Sequence, residues 1–379
     1  MLTRNGCLQR QARLRTYLAE NNVDAVLLTN LADIFYFTGT LLSDLPFLSE
    51  TSSCVVLETA GGSWAVVPEG DELDIVDDVL TYAWSRFGTL EFDQRLRLNA
   101  CLESKLSAVR GWKRIGYQAE SLAAVLERTV SERFSNVEWF AVDDIVLDLQ
   151  SVKDDDEVAC LREVIRANLG AYDAVRAAIA PGVTELEILA AGRRGAMLTA
   201  GAKVMHDGDY RCGAENGPAR NRPIEDGELY IVDAWTYHGG YWSDLSRTFA
   251  VGSTPTDLQQ SIYDHIAEVQ QRVPTLLGPG KDGREVFKEM DALIREHPAL
   301  ADTGLQHHGG HGVGVHVHGL PDLNRDRGGI LRPGNVVSVE PAGYHAEARY
   351  GVRLENTYLI GRDGAELLSE YPMEMVACR

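Results

Sequence analysis

Apolar residues from Leu8 to Leu18 recur at helical spacing among Arg and Gln, which predicts an amphipathic helix. The short apolar run from Asp24, ending at Asn30, predicts a buried strand. Cys54-Val-Val-Leu and Trp64-Ala-Val-Val flank Gly61-Gly62, the pattern of a hairpin. Leu102 to Val109 predicts a helix, Arg114 to Tyr117 a strand, Leu122 to Phe134 a helix and Val137 to Val142 a strand. Alternating strands and helices over residues 1–150 predict an α/β domain.

The run Lys153-Asp-Asp-Asp-Glu157 marks a boundary. Asp154 can cap a helix whose apolar face is Val158, Leu161, Ile165, Leu169, Tyr172 and Val175. Pro181-Gly182 breaks that helix, and Thr184 with Glu187 forms a capping box for another running to about Ala200. Strands and turns follow, with further helices over Gln259–Leu277 and Arg284–Glu296. Residues 151–379 therefore read as an α+β domain.

Charge and composition narrow the classes. The 379 residues carry 36 Lys+Arg against 56 Asp+Glu, a net charge of −20, which argues against nucleic acid as partner. No apolar run reaches the length of a membrane span, and the charged start lacks the apolar core of a signal peptide. Six scattered cysteines without a C-x-x-C read as reduced thiols in the cytoplasm.

Two hairpins place carboxylates. Leu229 to Trp235 and Tyr241 to Val251 flank His238-Gly239-Gly240. A turn centred between His238 and Gly239 would set Asp233 directly opposite Asp244, unless a bulge shifts the register. Acids so placed in an apolar hairpin need a cation or a shared proton. The pattern recurs in Val336 to Pro341 and Tyr350 to Ile360, where a connection centred between Glu347 and Ala348 sets Glu340 opposite Glu355. Strand period puts Arg353 on the face of Glu355, where it could orient a carboxylate or bind an anionic substrate group. Five of the ten histidines fall between His307 and His318, interleaved with glycine. Four carboxylates and an imidazole make an oxygen-rich site suited to a pair of Mn²⁺, Fe²⁺, Co²⁺ or Zn²⁺ ions.

Asp233, Asp244 eleven residues on, Gly310-His311-Gly-Val-Gly314, Glu340-Pro341 and Gly351-Val-Arg-Leu-Glu355 together resemble the pita-bread metallopeptidase family of prolidases, Xaa-Pro aminopeptidases and creatinase. The likeness extends to Arg13 to Gly39, ending Asp33-Ile-Phe-Tyr-Phe-Thr-Gly39, which is similar to the start of the creatinase-type N-terminal domain. The resemblance implies a pita-bread catalytic domain over 151–379 behind an α/β domain over 1–150. It implies two divalent metal ions, manganese foremost and Co, Zn or Fe as alternatives, held by Asp233, Asp244, His311, Glu340 and Glu355. It further implies Glu340 as general base, His318 as a catalytic residue at the tetrahedral intermediate, and His308 and Arg353 near the substrate. The expected reaction is hydrolysis of short peptides with proline after the scissile bond, by metal-activated water in a homodimer. The alternatives are the same scaffold acting on a small non-peptide amide, as a C–N hydrolase or lyase, and a binding protein with a vestigial site.

Three departures lie where substrate would sit. The family's Pro-His upstream of the first Asp is absent from Tyr210 to Arg222, and His206 is several residues too early. Trp235 stands where Gly is usual, and His318-Gly-Leu-Pro321 replaces His-Glu-Pro.

Overall fold

The N-terminal alternation folds as a six-stranded sheet in the computed structural model, which describes residues 1–42, 52–90, 93–375 and 377–378. The chain divides into two units, Met1–Gln150 and Ser151–Arg379. In the first, helix α1 (Arg4–Glu20) is capped by Thr3, whose hydroxyl accepts from Gly6 N. Strand β1 (Ala25–Leu28) is flanked by antiparallel β2 (Cys54–Glu58) and parallel β7 (Arg114–Tyr117). The sheet continues through β3 (Ser63–Pro68) to β4 (Asp78–Tyr82) on one side and ends at β8 (Glu138–Ala141) on the other. A short hairpin, β5 (Ser85–Arg86) and β6 (Thr89–Leu90), stands apart from it.

Helices α2 (Leu31–Thr38), α3 (Gln94–Leu106), α4 (Ala124–Arg133) and α5 (Asp143–Ser151) complete the unit. Helix α3 starts at Gln94 rather than Leu102 and stops at Leu106. Gln94, Leu98, Leu102 and Leu106 are all buried, so the stripe that stabilises it begins earlier than the apolar run suggests.

In the second unit α6 (Asp155–Ala178) opens at the expected cap Asp154, which Glu157 completes as a capping box, and α7 (Glu185–Ala200) opens with the expected capping box of Thr184 and Glu187. A four-stranded sheet follows: β9 (Met205–Asp209), β10 (Leu229–His238), β11 (Tyr241–Val251) and β19 (Ala377–Cys378). Helix α6 fixes β10 on both sides of Asp233. Tyr172 Oη donates to Val232 O at 3.0 Å and accepts from Ala234 N at 3.1 Å, and Asn168 Nδ2 donates to Ala234 O at 2.8 Å.

Helices α8 (Asp257–Leu276) and α9 (Gly283–Ile294) then pack on a second sheet. Its strands run in the order β13 (Gly319–Leu323), β12 (Gly310–Gly312), β14 (Val336–Val339), β17 (Asn356–Ile360), β18 (Ala365–Leu367). Strands β15 (Ala342–His345) and β16 (Tyr350–Arg353) form a separate two-stranded hairpin after β14. Ile262, Ile266, Val269, Met290, Val337, Val339, Val352 and Ile360 fill the interface between these helices and strands. No disulfide joins the six cysteines, and among the described residues no helix is long and apolar enough to cross a membrane.

Candidate metal centre and active-site cavity

The first hairpin corrects the expected register. Asp233 pairs with Ser246 and Asp244 with Trp235, so the turn is centred between Gly239 and Gly240. Both glycines take positive φ, 60° and 86°, as the two-residue turn that matches strand twist requires; His238 would be strained there. The displacement is one residue at the turn but two along the partner strand. It therefore preserves the face: Asp233 and Asp244 become diagonal rather than direct neighbours and still point the same way.

The second hairpin has the expected register. Val339 pairs with Asn356 and Ala342 with Arg353, and between them the ladder opens at Glu340-Pro341 and Leu354-Glu355, leaving Glu340 across from Glu355. Proline offers no amide hydrogen there, so strand pairing yields to a bend that turns both carboxylates inward. The hairpins meet because Glu355 N donates to Ser246 O at 3.0 Å and Thr357 Oγ1 to Asp244 O at 3.1 Å. Arg247, 2 % exposed, donates to the carbonyls of Glu355, Tyr371 and Pro372 and fixes the same corner.

His311 enters on β12, squeezed between β13 and β14. A Cβ on Gly312 would lie 2.0 Å from Leu320 O, so only glycine lets the strands close on either side of His311. Gly312→Ala is expected to destabilise the protein by about 1–3 kcal/mol, read as a lower urea midpoint; an unchanged midpoint would show that this packing is not needed. His311 Nδ1 donates to Gly312 O at 3.1 Å, which leaves the Nε2 lone pair free, 3.8 Å from Asp244 Oδ2 and 3.9 Å from Glu340 Oε1.

Four overlapping triads of donor atoms meet here: Asp244, His311 and His318 make one, His307, His308 and Glu340 another, and two more share Glu355. Of these two, Asp233, Asp244 and Glu355 make one; His311, Glu340 and Glu355 make the other. They open into a cavity of about 520 Å³ that His307, His308, His318 and Arg353 also line. Burial and the neighbouring carboxylates push the Asp244 and Glu355 acids well above the ordinary range. Burial also raises Asp233, to about 6, against the pull of Arg353. Burial would raise Glu340 too, but His308, His307 and Arg353 outweigh it and hold it at about 2. Burial drops His311 to about 4, so its imidazole is neutral near pH 7.

These groups fit divalent cations. Glu355, 1 % exposed, has an oxygen sealed from solvent with no hydrogen-bond donor, and three other acids crowd around it. An uncompensated buried carboxylate is costly unless a cation sits beside it. A neutral imidazole with carboxylates is a donor set that binds such ions.

A hydrogen-bonded chain supports the centre from behind. Arg353 Nη1 pairs with Asp233, and its Nε and Nη2 donate to Tyr344 Oη at 3.0 and 2.6 Å. His307 Nδ1 donates to His308 O at 2.7 Å, so its Nε2 accepts from Tyr344 Oη at 3.0 Å. His308 Nδ1 lies 3.1 Å from Glu340 Oε1, and the His318 ring stands 3.9 Å from the His311 ring at the exposed mouth. Arg353 thus orients a carboxylate, one of the two roles its position suggested.

His307, Tyr344, Asp207, Asp209 and Asn216 were not anticipated. Asp207 and Asp209 are two apart on β9, and their period-two spacing was the available signal. His206 does not replace the absent upstream histidine. It is buried, bonded to Thr236 Oγ1 at 2.8 Å and Tyr210 Oη at 2.7 Å, and is not among the lining residues. Pro218 does line the cavity, but Ala219 follows it.

The chain matches the Creatinase/Prolidase N-terminal domain over residues 10–152 and metallopeptidase family M24 over residues 159–362. It is 27% identical to the Xaa-Pro dipeptidase of Pyrococcus furiosus, covering 97% of this chain and 99% of that one. It is also 27% identical to the uncharacterised peptidase YqhT of Bacillus subtilis, with 96% and 98% covered. The prolidase of Pyrococcus horikoshii shares the fold with a TM-score of 0.76 at 24% identity, covering 97% of this chain and 99% of that chain. The Xaa-Pro dipeptidase of Bacillus anthracis does so with 0.78 at 23%, covering 98% and 99%. With its M24 match spanning more than half of its length, the chain belongs to metallopeptidase family M24, enzymes that hydrolyse peptides with divalent metal ions.

Proposed function

We propose that this enzyme hydrolyses short peptides with proline after the scissile bond, using two divalent ions, manganese foremost, in the domain of residues 151–379. The observation that carries this reading is the pair of donor triads sharing Glu355 at the floor of the cavity. Dipeptidases of similar sequence match the chain almost end to end, which supports the choice of substrate. Asp233, Asp244, His311, Glu340 and Glu355 would hold the two ions. When bound, the ions polarise the amide carbonyl and make water a better nucleophile.

The chain's own groups handle the rest. Glu340 accepts the proton of the attacking water, and its carboxylate is kept ionised for that task by His308 and Arg353. His318, at the mouth, faces the oxygen on which charge develops. His308 lies within reach of both, 5.5 Å ring to ring from His318 and beside Glu340. The enzyme works as a cytoplasmic homodimer.

The test is release of free amino acid from Xaa-Pro dipeptides and tripeptides after loading with Mn²⁺, Co²⁺, Zn²⁺ or Fe²⁺. Inertness to every peptide, with turnover of a small amide, would replace this reading by the non-peptide one, which the Pro218-Ala219 pair and Trp235 in the cavity wall favour. His318→Ala is expected to cut turnover about 10²-fold with metal content retained by elemental analysis; unchanged turnover would remove it from the site.

A further inference from the structure

One wall of the cavity carries chemistry that the metal centre does not use. Asp207 and Asp209 share a face of β9, and their partners across β10 are Trp235 and Asp233. Trp235 in turn pairs with Asp244 on β11, so one sheet face presents an Asp209–Asp233 row beside an Asp207–Trp235–Asp244 row, all five lining the cavity.

The charges on this face do not balance. Six carboxylates line the cavity (Asp207, Asp209, Asp233, Asp244, Glu340 and Glu355) against one guanidinium, Arg353. Two divalent ions would offset four of the six. Arg353 is committed to Asp233 and Tyr344 and reaches Asp209 Oδ2 only at 3.9 Å. Asp207 is held at 2.6 Å by Arg193, which is not a lining residue. Arg211 lies against Gly217 and only tempers the Asp209 charge. Asp209 is therefore a one-third exposed carboxylate of the wall that shares Arg353 with Asp233, at the longer distance of 3.9 Å, accepts from the backbone of Gly217, and stands diagonal to the half-buried indole of Trp235. An anion next to an aromatic surface is the combination that holds ammonium and guanidinium groups.

We infer that Asp209 and Trp235 are specificity-determining residues that select substrates bearing a positively charged side chain, beyond any terminal ammonium, near the bond that is cut. Only the identity of that bond rests on the peptidase reading. Among Xaa-Pro dipeptides, Arg-Pro and Lys-Pro are the preferred substrates, Met-Pro is poorer, and Glu-Pro, repelled by the wall, is poorer still.

Two measurements on the Mn²⁺-loaded enzyme test this. In the first, kcat/KM for Arg-Pro exceeds that for Met-Pro at least tenfold, mostly through KM, and Asp209→Asn brings the ratio close to one while Asp209→Glu keeps part of it. In the second, calorimetry finds n-butylguanidinium bound at least tenfold more tightly than the neutral pentanamide, and Asp209→Asn erases the difference. Equal affinity for the two probes in the wild type, or a difference that survives Asp209→Asn, overturns the inference whether or not any peptide is cleaved. A probe difference that depends on Asp209, in an enzyme inert to every peptide, upholds the inference and overturns the peptidase reading instead. Peptide cleavage with no preference for Arg-Pro and no probe difference does the reverse.

Discussion

Asp244→Asn is expected to give a folded protein that cleaves no peptide and whose melting temperature no longer rises when Mn²⁺ is added. Asp244 belongs to the triad with Asp233 and Glu355 and also lies 3.8 Å from His311 Nε2, so it touches both halves of the centre. A ligand present at a thousand times its Kd stabilises the folded state by about 4 kcal/mol, which for a unit of this size is roughly 10 °C. The wild type should show that shift and the variant should lose it. Without metal, the order reverses. Four acids are then packed together, and burial first, then repulsion from the neighbouring carboxylates, disfavours charge on Asp244 and Glu355. Replacing one carboxylate by a neutral amide relieves that repulsion, so the metal-free variant should melt no lower than the metal-free wild type. Scanning calorimetry with and without Mn²⁺, alongside elemental analysis, checks both halves. A variant with full metal content or an intact thermal shift would remove Asp244 from the centre.

How the site could be read from sequence depends on the kind of signal each residue leaves. Asp233 and Asp244 were visible because acids are rare in apolar strands. Their exact pairing was not, because turn position depends on which residues tolerate positive φ, and Gly239-Gly240 is favoured over His238-Gly239. The error left their common face intact because a one-residue shift of the turn moves the partner by two. Glu340 and Glu355 fall opposite each other as expected because the connection is centred between Glu347 and Ala348. Tyr344 and His307 left no signal. A tyrosine on a strand and one histidine among five acquire meaning only when Arg353 and Glu340 are brought beside them. Asp207 and Asp209 stand in a stretch with little apolar alternation, and β9 forms because β10 offers it an edge. In the N-terminal unit β4, α2 and α5 were not predicted: α2 is a short, almost wholly apolar segment that periodicity cannot distinguish from a strand, and β4 is a mostly exposed or half-buried strand without an apolar stripe.

Arg353→Met is expected to destabilise the metal-free protein by about 3–5 kcal/mol, the usual cost of removing one partner of a buried ion pair. Arg353 is 5 % exposed and all its contacts are internal, with Asp233 on one side and the Tyr344 hydroxyl on the other. Methionine fills much of the volume but leaves Asp233 without a counter-charge and Tyr344 without two donors. If Asp233 also faces a divalent ion, that ion supplies the missing positive charge, so the same substitution should cost less in the Mn²⁺-loaded protein. Arg353→Lys should fall between the two, because one ammonium can reach Asp233 or Tyr344 but cannot reproduce the planar fork that serves both. Urea denaturation of the wild type and the two variants, with and without Mn²⁺, separates the cases. An equal loss in both conditions would mean that Asp233 is neutralised by Arg353 alone and takes no share of the metal. A smaller loss with metal would assign Asp233 to both charges at once, with the guanidinium holding in place the carboxylate that the metal requires.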